Sequence, residues 1–206
     1  MTAATPSAGA RVFINSALPA TSPHFAAPPV ITGKQVAMVA SDSTGVFSVG
    51  NLPPGQYIAC AEAPTQGLLD PCLWAASAPT FTVTAGQPTA AVNIVLARGA
   101  ILPIHIADPM ALLTPVTGPV DFNLQVHIVT SKGLHYMARI ESSTSGSRNL
   151  AMTIPFGTPV TVLVQSAHLA VNNSQPGAPA AALGTSVTVP AGTSPATINY
   201  VVAGQN

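Results

Sequence analysis

The sequence predicts an all-β protein made of two tandem β-sandwich domains, and three observations point there. Proline accounts for 21 of 206 residues, roughly double the usual share of about 5%. Together with abundant Val, Thr and Ala and scarce Lys, Glu and Arg, it disfavours helices and favours strands. Short period-two segments alternate with turn residues along the whole chain, as in a sandwich. The chain also resembles itself at a fixed spacing.

The repeat is carried by two matches. Residues 81–97 read Phe-Thr-Val-Thr-Ala-Gly-Gln-Pro-Thr-Ala-Ala-Val-Asn-Ile-Val-Leu-Ala, and residues 187–203 read Val-Thr-Val-Pro-Ala-Gly-Thr-Ser-Pro-Ala-Thr-Ile-Asn-Tyr-Val-Val-Ala. At a shift of 106 the Ala-Gly, the Asn and the closing Ala coincide. Upstream, Leu52-Pro-Pro-Gly-Gln-Tyr-Ile-Ala-Cys60 aligns with Ile154-Pro-Phe-Gly-Thr-Pro-Val-Thr-Val162 at a shift of 102. Matches in the same order at nearly the same shift divide the chain into residues 1–98 and 99–206. The joint near Arg98-Gly99 has no Gly/Ser-rich or charged linker.

Strands are expected near 10–16, 34–40, 46–50, 56–62, 79–84 and 91–97 in the first domain. In the second they are expected near 100–107, 122–130, 134–141, 148–154, 159–166, 185–189 and 197–203. Asp42-Ser-Thr-Gly45 reads as a turn, with Asp accepting from its own backbone and Gly supplying positive φ. Asn51-Leu-Pro-Pro-Gly55 is a second turn, stiffened by its prolines, with Leu52 as an inward plug. Thr130-Ser-Lys-Gly133 joins two strands. Setting Phe122, Leu124, Val126 and Ile128 against Leu134, Tyr136, Ala138 and Ile140 places His127 directly opposite His135 on a polar face.

The run Asp42-Ser-Thr-Gly-Val-Phe-Ser-Val-Gly-Asn-Leu-Pro-Pro-Gly-Gln-Tyr-Ile58 resembles the D-x-x-G-x-F…L-x-P-G-x-Y core of carboxypeptidase regulatory-like domains. Thr82-Val-Thr-Ala-Gly-Gln87 followed by Val92-Asn-Ile-Val-Leu96 continues that pattern. The resemblance covers residues 34–97 well and the second domain weakly. It implies transthyretin-like, immunoglobulin-like sandwiches of secreted and cell-surface bacterial proteins, acting as non-catalytic modules. Residues 18–33 depart from the family, with a Pro-rich excursion in place of a tight Gly turn.

Six basic and six acidic residues give zero formal net charge and only 6% charged residues, against about a quarter in ordinary soluble domains. Scattered Lys and Arg make no basic stripe, which excludes a nucleic-acid partner. With 48% apolar residues, the chain is too hydrophobic for charge-driven disorder. The apolar stretch from Val92 is broken by Arg98, Gly99, Pro103 and His105, short of a membrane helix. The first residues show no basic region and apolar core of a signal peptide.

Cys60 and Cys72, the only cysteines, flank one turn-rich loop through Pro64, Gly67 and Asp70-Pro71. A disulfide would staple it and imply an oxidising compartment; two free buried thiols are the alternative. No Cys-x-x-Cys or neighbouring His supplies four zinc ligands, so no metal and no cofactor is expected. His127 and His135 offer at most two ligands, with Glu141 too far along the strand.

No Gly-x-Ser-x-Gly elbow is present. Asp42 and Asp70 are accounted for by turns, and Asp108 and Asp121 by Pro-flanked loops, so no paired carboxylates and no enzyme are expected. Trp74 is the candidate for stacking on a sugar, and Asn172-Asn-Ser174 matches a glycosylation sequon.

The expected function is therefore a structural subunit of a self-associating extracellular or cell-surface assembly. Near-absence of charge suits close packing of faces, and free sandwich edges accept a neighbour's strand. Thr2, Ala3, Ala4 and Thr5 are the candidates for such a lent strand. The alternative is a secreted accessory or adhesive module that binds carbohydrate or another protein.

Overall fold

A computed structural model describes residues 6–17, 32–75, 78–87, 91–121, 123–130, 133, 135–173 and 184–206. Residues 18–31 of the Pro-rich excursion, His24 among them, and the lent-strand candidates Thr2, Ala3, Ala4 and Thr5 lie outside the described residues. The protein is all-β, with one four-residue helix among the described residues. It divides into two compact units, Met1–Arg98 and Gly99–Asn206.

In unit 1 the elements are β1 (Arg11–Ala17), β2 (Thr32–Ala40), β3 (Gly55–Glu62), β4 (Leu68–Leu69), α1 (Pro71–Trp74), β5 (Thr80–Val83) and β6 (Ala97–Arg98). The main sheet runs β2-β1-β3-β5, antiparallel throughout. Period two gives each strand two faces. Val12, Ile14, Tyr57, Ala59 and Ala61 form one core, on which Phe47, Leu52 and Ile94 pack. Ile58, Cys60, Cys72 and Ala78 form a second core on the opposite face, with Phe13 against it. Tyr57 stands opposite Phe81 in the ladder, with ring centres 5.5 Å apart. Its hydroxyl donates to Pro53 O at 2.6 Å, tying the Asn51–Gly55 turn to the sheet.

Asp42 closes its turn as its residue type suggests. Its Oδ1 accepts from Thr44 N at 2.8 Å, Thr44 Oγ1 at 2.7 Å and Val46 N at 3.0 Å, while Gly45 takes φ +77°. Those donors hold the carboxyl below the usual carboxylate range, the Thr44 hydroxyl contributing most. Asp70 caps α1, its Oδ1 accepting from Cys72 N at 2.8 Å ahead of Pro71 in the first turn.

Unit 2 contains β7 (Ala100–Ala107), β8 (Leu124–Val129), β9 (His135–Met137), β10 (Arg139–Ser143), β11 (Ser147–Ile154), β12 (Val160–Ser166), β13 (Leu169–Asn172), β14 (Gly184–Val187) and β15 (Ile198–Gln205). One sheet runs β10-β11-β7-β15-β13 and the other β14-β12-β8-β9. Every pairing is antiparallel except β7 with β15. Leu102, Ile104 and Ile106 of β7 are buried in strict alternation; in β8, Leu124, Val126 and Ile128 are buried, with His127 buried between the last two. Tyr200 on β15, fully buried, donates its hydroxyl to Thr185 on β14 and so joins the two sheets.

Three expectations need correction. Residues 46–50 and 91–96 keep the alternating burial of strands but join no ladder among the described residues; Ala97–Arg98 pairs there with Leu68–Leu69. The strand expected over 134–141 divides at buried Ala138, where the chain leaves β8 and joins β11. Its register differs as well: His127 stands opposite Met137, and His135 opposite Val129. Arg148, within the strand expected over 148–154, lies in β11 and is fully buried. The strand β13 was not expected, because four residues are too few to display a period. Its start is set by Ser166, whose hydroxyl accepts from His168 N and Leu169 N.

Candidate assembly surface

The surface is charge-poor where sheets usually carry charge. The three larger sheets end in β2, β5, β10, β13, β14 and β9. Along these edge strands the only Lys, Arg, Asp or Glu residues are Lys34, Arg139 and Glu141, and Arg139 and Glu141 pair with each other. The outer strand β2 of unit 1 is nine residues long and turns Val36 and Met38 outward, 45% and 55% exposed. Edge strands of stable monomers are normally interrupted by charges, prolines or bulges. β2 has ladder irregularities near Asn15, yet Lys34 is its one charge.

Unit 1 also contains an open slot. Phe47, Val49, Val92, Ile94 and Leu96 turn toward Val12 and Ile14, whereas Val46 and Val95 are 61% and 67% exposed. Among the described residues, the backbone groups of residues 47–50 and 91–95 make no hydrogen bond to other backbone. Inward-facing extended segments need partners for those groups. A cavity of about 480 Å³ lies here, lined by Val12, Phe47, Val92, Ile94 and Leu96, with Pro6 and Ser7 also on its wall.

Cys60 and Cys72 are joined as a disulfide, with Cα atoms 5.5 Å apart. The bond fastens α1 over the outer face of β3. Trp74, half-buried, ends that helix. The rings of His127 and His135 lie 4.9 Å apart, on the same face but diagonal rather than opposite. His127 is 2% exposed, and among the described residues neither of its ring nitrogens has a hydrogen-bond partner. Burial, and next the charge of His135, lower its pKa. Asn172 is buried in β13, a position unsuited to a glycan.

Among the described residues, the group of His, Cys, Asp and Glu close enough to share an ion is Cys60, Asp70 and Cys72, and both of its sulfurs are committed to the disulfide. No helix among the described residues is long and apolar enough to cross a membrane.

No protein-family model matches the chain, and no curated protein matches it. Similar solved structures are Gram-positive pilins. The shaft pilin SpaA from Lactobacillus rhamnosus GG is 14% identical, with TM-score 0.31 over 97% of this chain and 90% of that one. GBS52, the minor pilin of Streptococcus agalactiae, is 14% identical, with TM-score 0.34 over 96% of this chain and 84% of that one. Likeness at this level carries no argument about function.

Buried polar residues are what sequence reasoning missed. Arg148 donates to Asp121, to Thr114 O at 2.8 Å and to Ser143 Oγ at 3.3 Å. Asp108, 2% exposed, accepts from Met110 N and Leu113 N. Together they pin the long connection between β7 and β8. In a chain so poor in charge, an Arg inside an alternating strand was itself a signal, because Arg is almost never fully buried without a partner.

Proposed function

We propose that this protein is a non-catalytic structural subunit of a self-associating extracellular assembly, built from two tandem immunoglobulin-like sandwich modules of the carboxypeptidase regulatory-like kind. The observation that supports self-association is the near-absence of charge along the edge strands. Bringing two strand edges together desolvates whatever lies on them, and unpaired charges there oppose contact. Here Lys34 alone opposes it on the outer strand of unit 1, beside exposed Val36 and Met38. The Cys60–Cys72 disulfide supports an oxidising location.

Light scattering over a concentration series tests this reading. The expected result is a mass that grows with concentration, and growth that weakens when Val36→Lys and Met38→Lys are combined. A stable monomer at every concentration would sink the proposal.

A further inference from the structure

We propose that His127, His135 and Met137 of unit 2 form a binding site for one monovalent copper ion, through two imidazole nitrogens and a thioether sulfur. This goes beyond the assembly reading and does not depend on it. It also departs from the expectation of no metal, which counted the two histidines and passed over the methionine beside them.

The pairing of β8 with β9 brings the three side chains together. His127 stands opposite Met137, and His135 opposite Val129. Opposite residues of an antiparallel pair project to the same side of the sheet, so all three share one face. It is the face turned away from the sandwich core, since Leu124, Val126 and Ile128 occupy the other. Tyr136 confirms the alternation. It lies between His135 and Met137, and its hydroxyl reaches inward to accept from Thr153 N of β11 in the other sheet. Directly opposite Cβ atoms stand about 4.5–5.5 Å apart and diagonal neighbours about 7–8 Å, within reach of long side chains.

The two rings are spaced for a shared ion. With a metal–nitrogen distance of about 2.0 Å and about 1.1 Å from nitrogen to ring centre, two imidazoles on a tetrahedral ion have centres about 5 Å apart. The rings of His127 and His135 have centres 4.9 Å apart and planes tilted by 35°.

Burial gives the two histidines different parts. Side chains on the outer face of an antiparallel sheet are normally solvated, yet His127 is 2% exposed. Its neighbours across the two ladders, Met137 and Leu163, are half-buried. Burial favours the neutral imidazole, the form that binds a metal. Among the described residues neither ring nitrogen is engaged, so a lone pair is free. His135 is exposed, and its ring provides the way in, turning outward to admit the ion and back to close on it.

The ligand set selects the ion. Thioether sulfur favours Cu(I), whereas carboxylate and carbonyl oxygens favour calcium, magnesium and manganese. Two imidazoles and a thioether bring no negative charge, and a monovalent ion costs less to desolvate among neutral ligands than a divalent one. The carboxylate next along the chain, Glu141, is paired with Arg139. Structural zinc sites take four ligands, typically thiolates and imidazoles. The chain's two cysteines are bonded to each other, so no thiolate competes.

Anaerobic titration of the full chain with Cu(I), held reduced by ascorbate and competed against a coloured Cu(I) chelator, tests the site. A free-thiol count afterwards verifies that the disulfide is intact. One ion per chain is expected. Met137→Leu should weaken binding at least about tenfold and His135→Ala at least about 100-fold, since even the residues that orient metal ligands are worth about 10–100-fold. His168→Ala, outside the site, should leave affinity unchanged. Zinc offered in place of copper should bind at least about tenfold more weakly. Absence of Cu(I) binding overturns the proposal, as does an affinity unmoved by Met137→Leu or by His135→Ala, or a preference for zinc. If a variant fails to fold, X-ray absorption of the copper-loaded unsubstituted protein decides. A sulfur neighbour beside two imidazoles supports the site, and a copper shell of nitrogen and oxygen alone rejects it.

Discussion

Arg148 and Asp121 form an ion pair inside unit 2, the Arg148 side chain fully buried and the Asp121 side chain 7% exposed. The guanidinium also donates to Thr114 O and Ser143 Oγ, and Asp121 accepts from Asn123 N. The pair thus joins β11 to the middle and the last residues of the connection that precedes β8. Breaking such a pair leaves an uncompensated buried charge, whereas replacing both partners with apolar groups removes the desolvation penalty as well. Asp121→Ala is expected to destabilise unit 2 by about 3–5 kcal/mol, and Arg148→Met with Asp121→Leu by far less. Urea unfolding of the two variants checks this. Equal losses would mean that the pair acts through shape alone.

His127 is expected to make the protein acid-sensitive. Its pKa is lowered in the folded state, first by burial and then by His135. Above about pH 6.5 the imidazole is neutral in both folded and unfolded chains. As pH falls below that, the unfolded chain binds a proton that the folded chain resists, so stability drops. The melting temperature is expected to fall between pH 7.5 and 5.5, and His127→Phe to flatten that slope. A slope of the same steepness in the variant would assign the effect to other groups.

The disulfide closes a loop with a sequence separation of 12. In the chain-entropy account a loop of that size contributes about 3 kcal/mol. Cys60→Ala with Cys72→Ala should lower the stability of unit 1 by that order and leave the unfolding of unit 2 unchanged. Denaturant titration of each variant, with one probe in each unit, measures both. Mass spectrometry of unreduced protein from its native source should find the bond. Free thiols there would remove the support for an oxidising location.

Much of this fold was legible because burial and residue type share a period. Leu102, Ile104 and Ile106 announced β7, Asp42 and Gly45 their turn, and the cysteines their bond. The slide between β8 and β9 was not legible, for a definite reason. Moving one strand by two residues restores every side chain to the same face. Alternation therefore placed His127 and His135 correctly on one face and could not tell opposite from diagonal. Residues 46–50 and 91–96 show the converse limit, since alternation reveals which side faces a core but not whether a neighbour supplies the ladder. The pairing of Arg148 was not legible because its partner, Asp121, lies 27 positions away and nothing local links them.

Gly45 carries two constraints that a single substitution separates. Its φ of +77° is the left-handed region, where a Cβ costs about 1–2 kcal/mol. An added Cβ would also press on Pro6 at 2.9 Å, closer than real contacts allow, and Pro6 is held by the bonds of Ser7 and Ala8. Gly50 lies at the other end of the same extended segment, with open space where its Cβ would stand and no positive φ. Gly45→Ala is therefore expected to lower the melting temperature of unit 1, and Gly50→Ala to leave it level or raise it by reducing the freedom of the unfolded chain. Removing residues 1–7 should return part of the Gly45→Ala loss, since it takes away the steric term and leaves the backbone term. Thermal unfolding of the four proteins measures both terms. Undiminished loss in the shortened chain would show that backbone conformation alone dictates glycine at this position.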